Sequence, residues 1–228
     1  MLMQLISTEM VQFYRSLRVG FELPDEIELL YPQADEQVMH TVTAFFDKYY
    51  SDRHPRQLLF GINPGRFGAG TTGINFTAPR QLTEFLAIEH GFRNQSELSA
   101  EFIYEVINSY GGPQKFYGDF FLSSISPLGF VKDGKNLNYY DDKKLMEALE
   151  PFIIKSIAQQ LRIFRPLQKC VCIGGEKNFK YFLSLNNKLQ FFKEIIPLPH
   201  PRFIMQYRRK QKEKYLLQYL SALELLRN

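Results

Sequence analysis

The sequence predicts an α/β fold of three layers, α/β/α, with a central four-stranded parallel sheet between helices. Three observations point there. Short apolar runs of strand length recur along the 228 residues, and stretches of helical periodicity separate them. Leu58, Leu59, Phe60 and Ile62 form one such run with no polar alternation, as a strand covered on both faces requires. No internal repeat or low-complexity linker divides the chain. A single domain over residues 1–228 is therefore expected, with a helical segment of about residues 1–50 packing on the α/β core.

The elements follow in order. Met1–Phe21 reads as an amphipathic helix rather than a signal peptide, since it has no basic leader. Glu36–Tyr50 places Val38, Val42, Phe45, Phe46 and Tyr49 on one stripe. The first strand is Gln57–Ile62, ended by Asn63-Pro64-Gly65, where Pro64 has no N–H to donate. Pro79–His90 has proline in its first turn and Gly91 after its end, and Ser99–Tyr110 stops at Gly111-Gly112. Phe120–Ser126 is the second strand. Asp141–Phe164 is a long helical pattern that Pro151 is expected to kink or divide. Lys169–Gly174, Glu176–Leu185 and Phe192–Leu198 supply strand, helix and strand, and Gln206–Leu225 closes the chain as a helix.

Composition sets bounds on function. With 45% hydrophobic and 15% aromatic residues the chain can fill a core, and a net charge of +4 permits a polyanionic partner without requiring one. Cys170 and Cys172, the only cysteines, alternate within Lys169–Gly175 and read as a reduced core pair in an intracellular protein, cytoplasmic if bacterial. Two cysteines cannot hold a Cys₄ cluster, nor zinc without histidine help, so no metal or cofactor is expected. No apolar run is long enough to cross a bilayer, so no membrane role is expected, and the chain is expected to be a monomer.

The candidate site begins at Gly61–Thr77. Gly68, Gly70 and Gly73 keep this loop free of side chains, so its N–H groups are expected to approach a ligand. It lacks the Gly-Lys-Ser/Thr of a phosphate-binding loop, and Gly65–Gly70 runs G-x-x-G-x-G rather than G-x-G-x-x-G. What remains is one amide, Asn63, at the carboxyl end of a parallel strand, and two aromatics, Phe67 and Phe76, able to stack a flat ring. His200, between Pro199 and Pro201, falls just past the end of the last strand, on the same sheet edge as Asn63. After it come Arg202, Arg208, Arg209, Lys210, Lys212 and Lys214. Such cations oppose the dipole at the start of a helix and so point to a phosphate backbone as counter-charge.

Gly61–Phe76, GINPGRFGAGTTGINF, together with Pro199–Pro201, resembles the uracil-DNA glycosylase superfamily, and within it the single-strand-selective monofunctional uracil-DNA glycosylase family and its bacterial relatives. That family's first motif runs G-M-N-P-G-P-F-G-M-A-Q-T-G-V-P-F, with no gap against this chain. Ser126–Phe130 resembles its C-P-L-A-F segment. The resemblance implies a base-flipping enzyme that hydrolyses the bond between uracil, or a related damaged pyrimidine, and DNA, single- or double-stranded. It implies that Asn63 positions the attacking water, that His200 stabilises charge on the base O2, and that Phe76 stacks on the base. Ile62, Gly65, Phe67 and Ser124 would line the base pocket, while Pro201, Arg202, Phe203, Arg208, Arg209 and Lys210 would meet DNA as a wedge and its basic flank.

Two departures stand out. Ser124 occupies the place of an Asn that reads the uracil edge in the family, and a hydroxyl cannot make that two-point contact. Selectivity is then expected to rest on backbone groups, a water or another residue. Arg202-Phe203-Ile204-Met205 also replaces a Ser/Pro/Arg/Asn-rich wedge. Two other readings stand beside the glycosylase: a catalytically silent binder of damaged DNA, and a hydrolase of nucleosides or nucleotides.

Overall fold

The computed structural model describes residues 4–18, 20 and 22–227. Of the expected N-terminal helix, residues 1–3, 19 and 21 lie outside the described residues, and the helix itself spans Ile6–Arg15. Among the described residues there are seven strands: β1 (Ile27–Leu30), β2 (Gln57–Gly61), β3 (Phe120–Ser124), β4 (Gly129–Lys132), β5 (Lys135–Leu137), β6 (Lys169–Ile173) and β7 (Glu194–Leu198).

The expected central sheet is present. Its four strands are all parallel, in the order β3-β2-β6-β7, and helices flank it. The register pairs Gly61 with Ser124, Phe60 with Cys172 and Ile173 with Leu198, so the carboxyl ends of the strands share one edge. Every residue of β2 and β3 is buried, which explains the apolar runs Leu58–Phe60 and Phe120–Leu122. Aromatic rings fill the space between sheet and helices. Phe121 stacks on Phe164 with centroids 4.3 Å apart, and Phe60 meets Phe182 edge-on at 5.2 Å.

A second sheet, of order β1-β4-β5, is antiparallel and was not expected. Asp133 and Gly134, at φ of 50° and 65°, join β4 to β5 in a two-residue hairpin turn. This sheet lies against the loop after β2. A Cβ on Gly129 would run into the carbonyl oxygen of Pro64, so only glycine allows that approach.

Other expectations need correction. The helix from Pro79 ends at Glu84, because the chain turns there to bury Leu86 and Ile88, and the Ile88 N–H donates to the Leu82 carbonyl. Pro151 does not divide the Lys143–Phe164 helix. Leu145 and Leu149 before it and Ile153, Ile157 and Phe164 after it are all buried, and this stripe holds both halves. A proline inside a helix costs about 3 kcal/mol through the lost hydrogen bond and the ring clash, less than that burial provides. The last helical region is two helices, Pro201–Tyr207 and Lys212–Arg227, separated by a 3-10 turn at Arg209–Gln211. No described helix is long and apolar enough to cross a membrane.

Candidate active site

The carboxyl edge of the parallel sheet holds a cavity of about 120 Å³. Asn63 enters it from the loop after β2, Ser124 from the end of β3, and His200 from the turn after β7. Ile62, Gly65, Phe67, Phe76 and Arg202 also line it.

The Asn63 amide is held in one orientation. Its Nδ2 donates to the carbonyls of Pro64 and Leu137, both at 3.2 Å, and its Oδ1 accepts from the Tyr139 N–H at 3.0 Å. Both amide hydrogens are thereby used, while Oδ1 keeps a second lone pair. Asn63 can thus only accept from a molecule in the cavity. The Tyr139 hydroxyl, buried, donates to Asn178 Oδ1 at 2.7 Å and anchors this arrangement to the Gly175–Leu189 helix.

His200 is the N-cap of the Pro201–Tyr207 helix, and its Nδ1 accepts from the Arg202 N–H at 3.2 Å. The neutral ring must therefore carry its hydrogen on Nε2. Burial lowers its pKa from 6.5 to about 4; the Glu97 carboxylate opposes this and the Arg202 guanidinium adds to it. The ring is a neutral donor at physiological pH.

Phe76 adopts a left-handed backbone, φ 54°, unusual for an aromatic residue. Its ring lies 6.1 Å from that of His200 and covers Gly61, where a Cβ would sit 2.8 Å from the Phe76 Cζ. Ser124 is buried, and its hydroxyl donates to the Ser126 carbonyl at 2.8 Å.

The glycine loop differs from expectation. Ala69–Thr72 forms one helical turn, and the N–H groups of Gly70, Thr71, Thr72 and Gly73 bond to Gly65, Gly68, Gly68 and Ala69 carbonyls. These four are spent within the loop and are not free to meet a ligand. The glycines serve packing instead: a Cβ on Gly70 would strike the Gly65 carbonyl, and one on Gly73 would meet Val38 and Val42 at 2.7 Å.

The expected DNA-contacting residues divide into two groups. Arg202 lies at the cavity, where its Nη2 meets Glu97 Oε1 at 2.7 Å, so it is not a free cation. Pro201 is buried as the first residue of its helix. Phe203, Arg208, Arg209 and Lys210 lie outside the cavity lining. Phe203 is 40% exposed beside Tyr207 at 68%, and the Arg208 guanidinium sits 5.3 Å from the Phe203 ring centre. Arg209 and Lys210 are exposed on the 3-10 turn, while Lys212 pairs with Glu105 at 2.7 Å. Phe67, in the cavity lining, is 50% exposed with the Arg66 guanidinium over its ring.

Sequence reasoning missed Asn75, Glu97, Ser99, Asn136 and Asn138, all at the cavity. Asn136 and Asn138 had a signal, an i, i+2 pair of amides after an Asp-Gly turn. Glu97 had another, an acidic residue just before a helix, where it caps the N–H groups of Ser99 and Ala100 at 3.1 and 3.2 Å.

A neutral ring N–H, an amide oxygen held in one orientation and an aromatic face thus surround one small cavity at the carboxyl edge of the sheet. The chain belongs to the uracil DNA glycosylase superfamily, whose family model matches residues 48–224. It is similar over its whole length to SMUG2 of Pedobacter heparinus, whose crystal structure it matches with a TM-score of 0.95 at 42% identity, covering 99% of this chain and 100% of that one. None of the curated proteins matches it in sequence. Family and relative bear out the expected fold and the expected uracil-DNA glycosylase, an enzyme acting on DNA.

Proposed function

We propose that this glycosylase is monofunctional, hydrolysing the N-glycosidic bond of a flipped uracil with Asn63 and His200 in fixed roles. The observation that carries this is their preset polarity: Asn63 presents only an acceptor to the cavity, and His200 presents only Nε2–H. As the bond breaks, the sugar becomes cation-like and uracil leaves as an anion. A preorganised donor at O2 stabilises that anion, and a neutral imidazole does so without itself losing charge. Asn63 Oδ1 accepts a hydrogen of the water that attacks C1′ and so aims its oxygen. A weak base suffices there, because the bond is already breaking.

Among the described residues no lysine lines the cavity, which supports hydrolysis over attack by an amine. The exposed Phe203 and Tyr207, with Arg208, Arg209 and Lys210 beside them, suit a surface that enters and holds DNA. The buried free thiols of Cys170 and Cys172 support an intracellular setting. Incubating the pure protein with single- and double-stranded oligonucleotides carrying one uracil, then treating with alkali, should give a cut strand. No cut in either substrate overturns this function.

A further inference from the structure

We propose that Asn75 reads the far edge of the flipped base and that the Leu122 carbonyl fixes which base it accepts. The inference rests on the glycosylase reading above and adds the residue that sets its specificity. A pocket that separates uracil from cytosine must distinguish an N3–H donor beside an O4 acceptor from an N3 acceptor beside an amine. One amide meets uracil at both points, with its oxygen at N3–H and its nitrogen at O4.

Of the other polar side chains of the cavity, Ser124, Ser99 and Glu97 are committed elsewhere, and Asn136 and Asn138 flank the segment that holds Asn63. The Ser124 hydroxyl donates to Ser126, and the Ser99 hydroxyl to Glu97. Glu97 is engaged by Arg202 and by two helix N–H groups. Asn136 Oδ1 accepts from the Arg66 N–H. Asn138 holds Asp141 and adjoins Tyr139, which grips Asn63, so it stands on the side of the attacking water and the sugar.

Asn75 stands elsewhere. It precedes the stacking residue Phe76, lines the cavity, and donates one Nδ2 hydrogen to the Leu122 carbonyl of β3 at 3.3 Å. Its Oδ1 and second Nδ2 hydrogen have no protein partner among the described residues. With the base O2 at His200 and its sugar toward Asn63, the N3–O4 edge faces away from the sugar, toward this amide.

The Leu122 carbonyl supplies the discrimination. An unrestrained amide could turn over and fit cytosine as well as uracil. Turning Asn75 would set Oδ1 against the Leu122 carbonyl oxygen, losing a hydrogen bond and opposing two acceptors. The amide therefore keeps the polarity that fits uracil.

The test compares single-turnover excision of uracil and N3-methyluracil from otherwise identical oligonucleotides, by the wild-type protein and Asn75→Ala. N3-methylation removes the donor that Oδ1 would accept and leaves O2 and the ring face in place. Two hydrogen bonds at stake imply that Asn75→Ala slows uracil release by about 100-fold, and leaves N3-methyluracil within about threefold of its wild-type rate. The preference for uracil then largely disappears. Should Asn75→Ala fail to fold, Asn75→Ser, a milder change at this half-buried position, should lower the same ratio. An unchanged ratio in a folded, active variant overturns the role of Asn75 alone. A wild-type protein that releases no uracil overturns the glycosylase mechanism and this inference with it.

Discussion

Asn63→Ala separates the two tasks of the Asn63 side chain, holding the site together and aiming water. The amide makes three hydrogen bonds to the main chain, at Pro64, Leu137 and Tyr139. At about 0.5–1.5 kcal/mol net each, their loss should destabilise the protein by about 2–4 kcal/mol. At about 2–4 °C per kcal/mol for a chain of this size, the melting temperature should fall by about 5–15 °C. Loss of the water acceptor should slow single-turnover release by about 10²–10⁴-fold, the range for a positioned proton acceptor. Asn63→Asp tests the geometry more sharply. Its carboxylate can still accept from Tyr139 and from water, but it faces the carbonyls of Pro64 and Leu137 with no hydrogen to give. It should keep more of the rate than alanine while remaining clearly less stable than wild type. The assays are alkali cleavage of a uracil oligonucleotide under excess enzyme, and thermal unfolding of each variant. An Asp variant as stable as wild type would refute the donor contacts, and an Ala variant at wild-type rate would refute the role in water positioning.

His200 should titrate near pH 4 by NMR, and the rate profile should show no inflection from it near 6.5, the ordinary histidine value. Because the unfolded chain takes up this proton near 6.5 and the folded one only near 4, the His200 contribution lowers stability as pH falls through that interval. A His200 resonance titrating at 6.5 would contradict the desolvation of its ring. Gly61→Ala should push the Phe76 ring off its seat and reduce kcat/KM by about tenfold or more, within the 1–3 kcal/mol of a base–aromatic stack; a folded variant at wild-type kcat/KM would remove Phe76 from substrate binding. Phe203→Ala should slow release from duplex by about 10–100-fold and from single strands far less, since only the duplex must be unstacked at a cost of a few kcal/mol. Equal losses on both substrates would argue against a wedge at Phe203.

The parallel sheet is legible because β2, β3 and β6 are buried almost throughout and so leave apolar runs, and the expected strand ends lie within about two residues of the observed ones. Asn63 and His200 are legible because each directly follows a strand of that sheet. The second sheet is not, because β4 and β5 have four and three residues and carry Lys132, Lys135 and Asn136, too short and polar for alternation to show. Glu97 meets Arg202 from 105 positions away, and no local pattern encodes that pairing. The basic run reads as one patch, yet Arg202 and Lys212 each have a carboxylate waiting on another element. Pro151 misleads because local propensity is overridden by a buried stripe on either side of it.

The grip on Asn63 by Leu137, the last residue of β5, and by Tyr139 just beyond it ties the site to the smaller sheet, across 74 and 76 positions of chain. That sheet consists of short strands, the kind of unit that opens locally at a lower free energy than the buried core. Catalytic competence should therefore be the first property to fade on warming, while the parallel sheet is still intact, and the last to return on refolding. Activity in this protein works as a gauge of whether two sheets are docked in register, a finer quantity than whether either is folded.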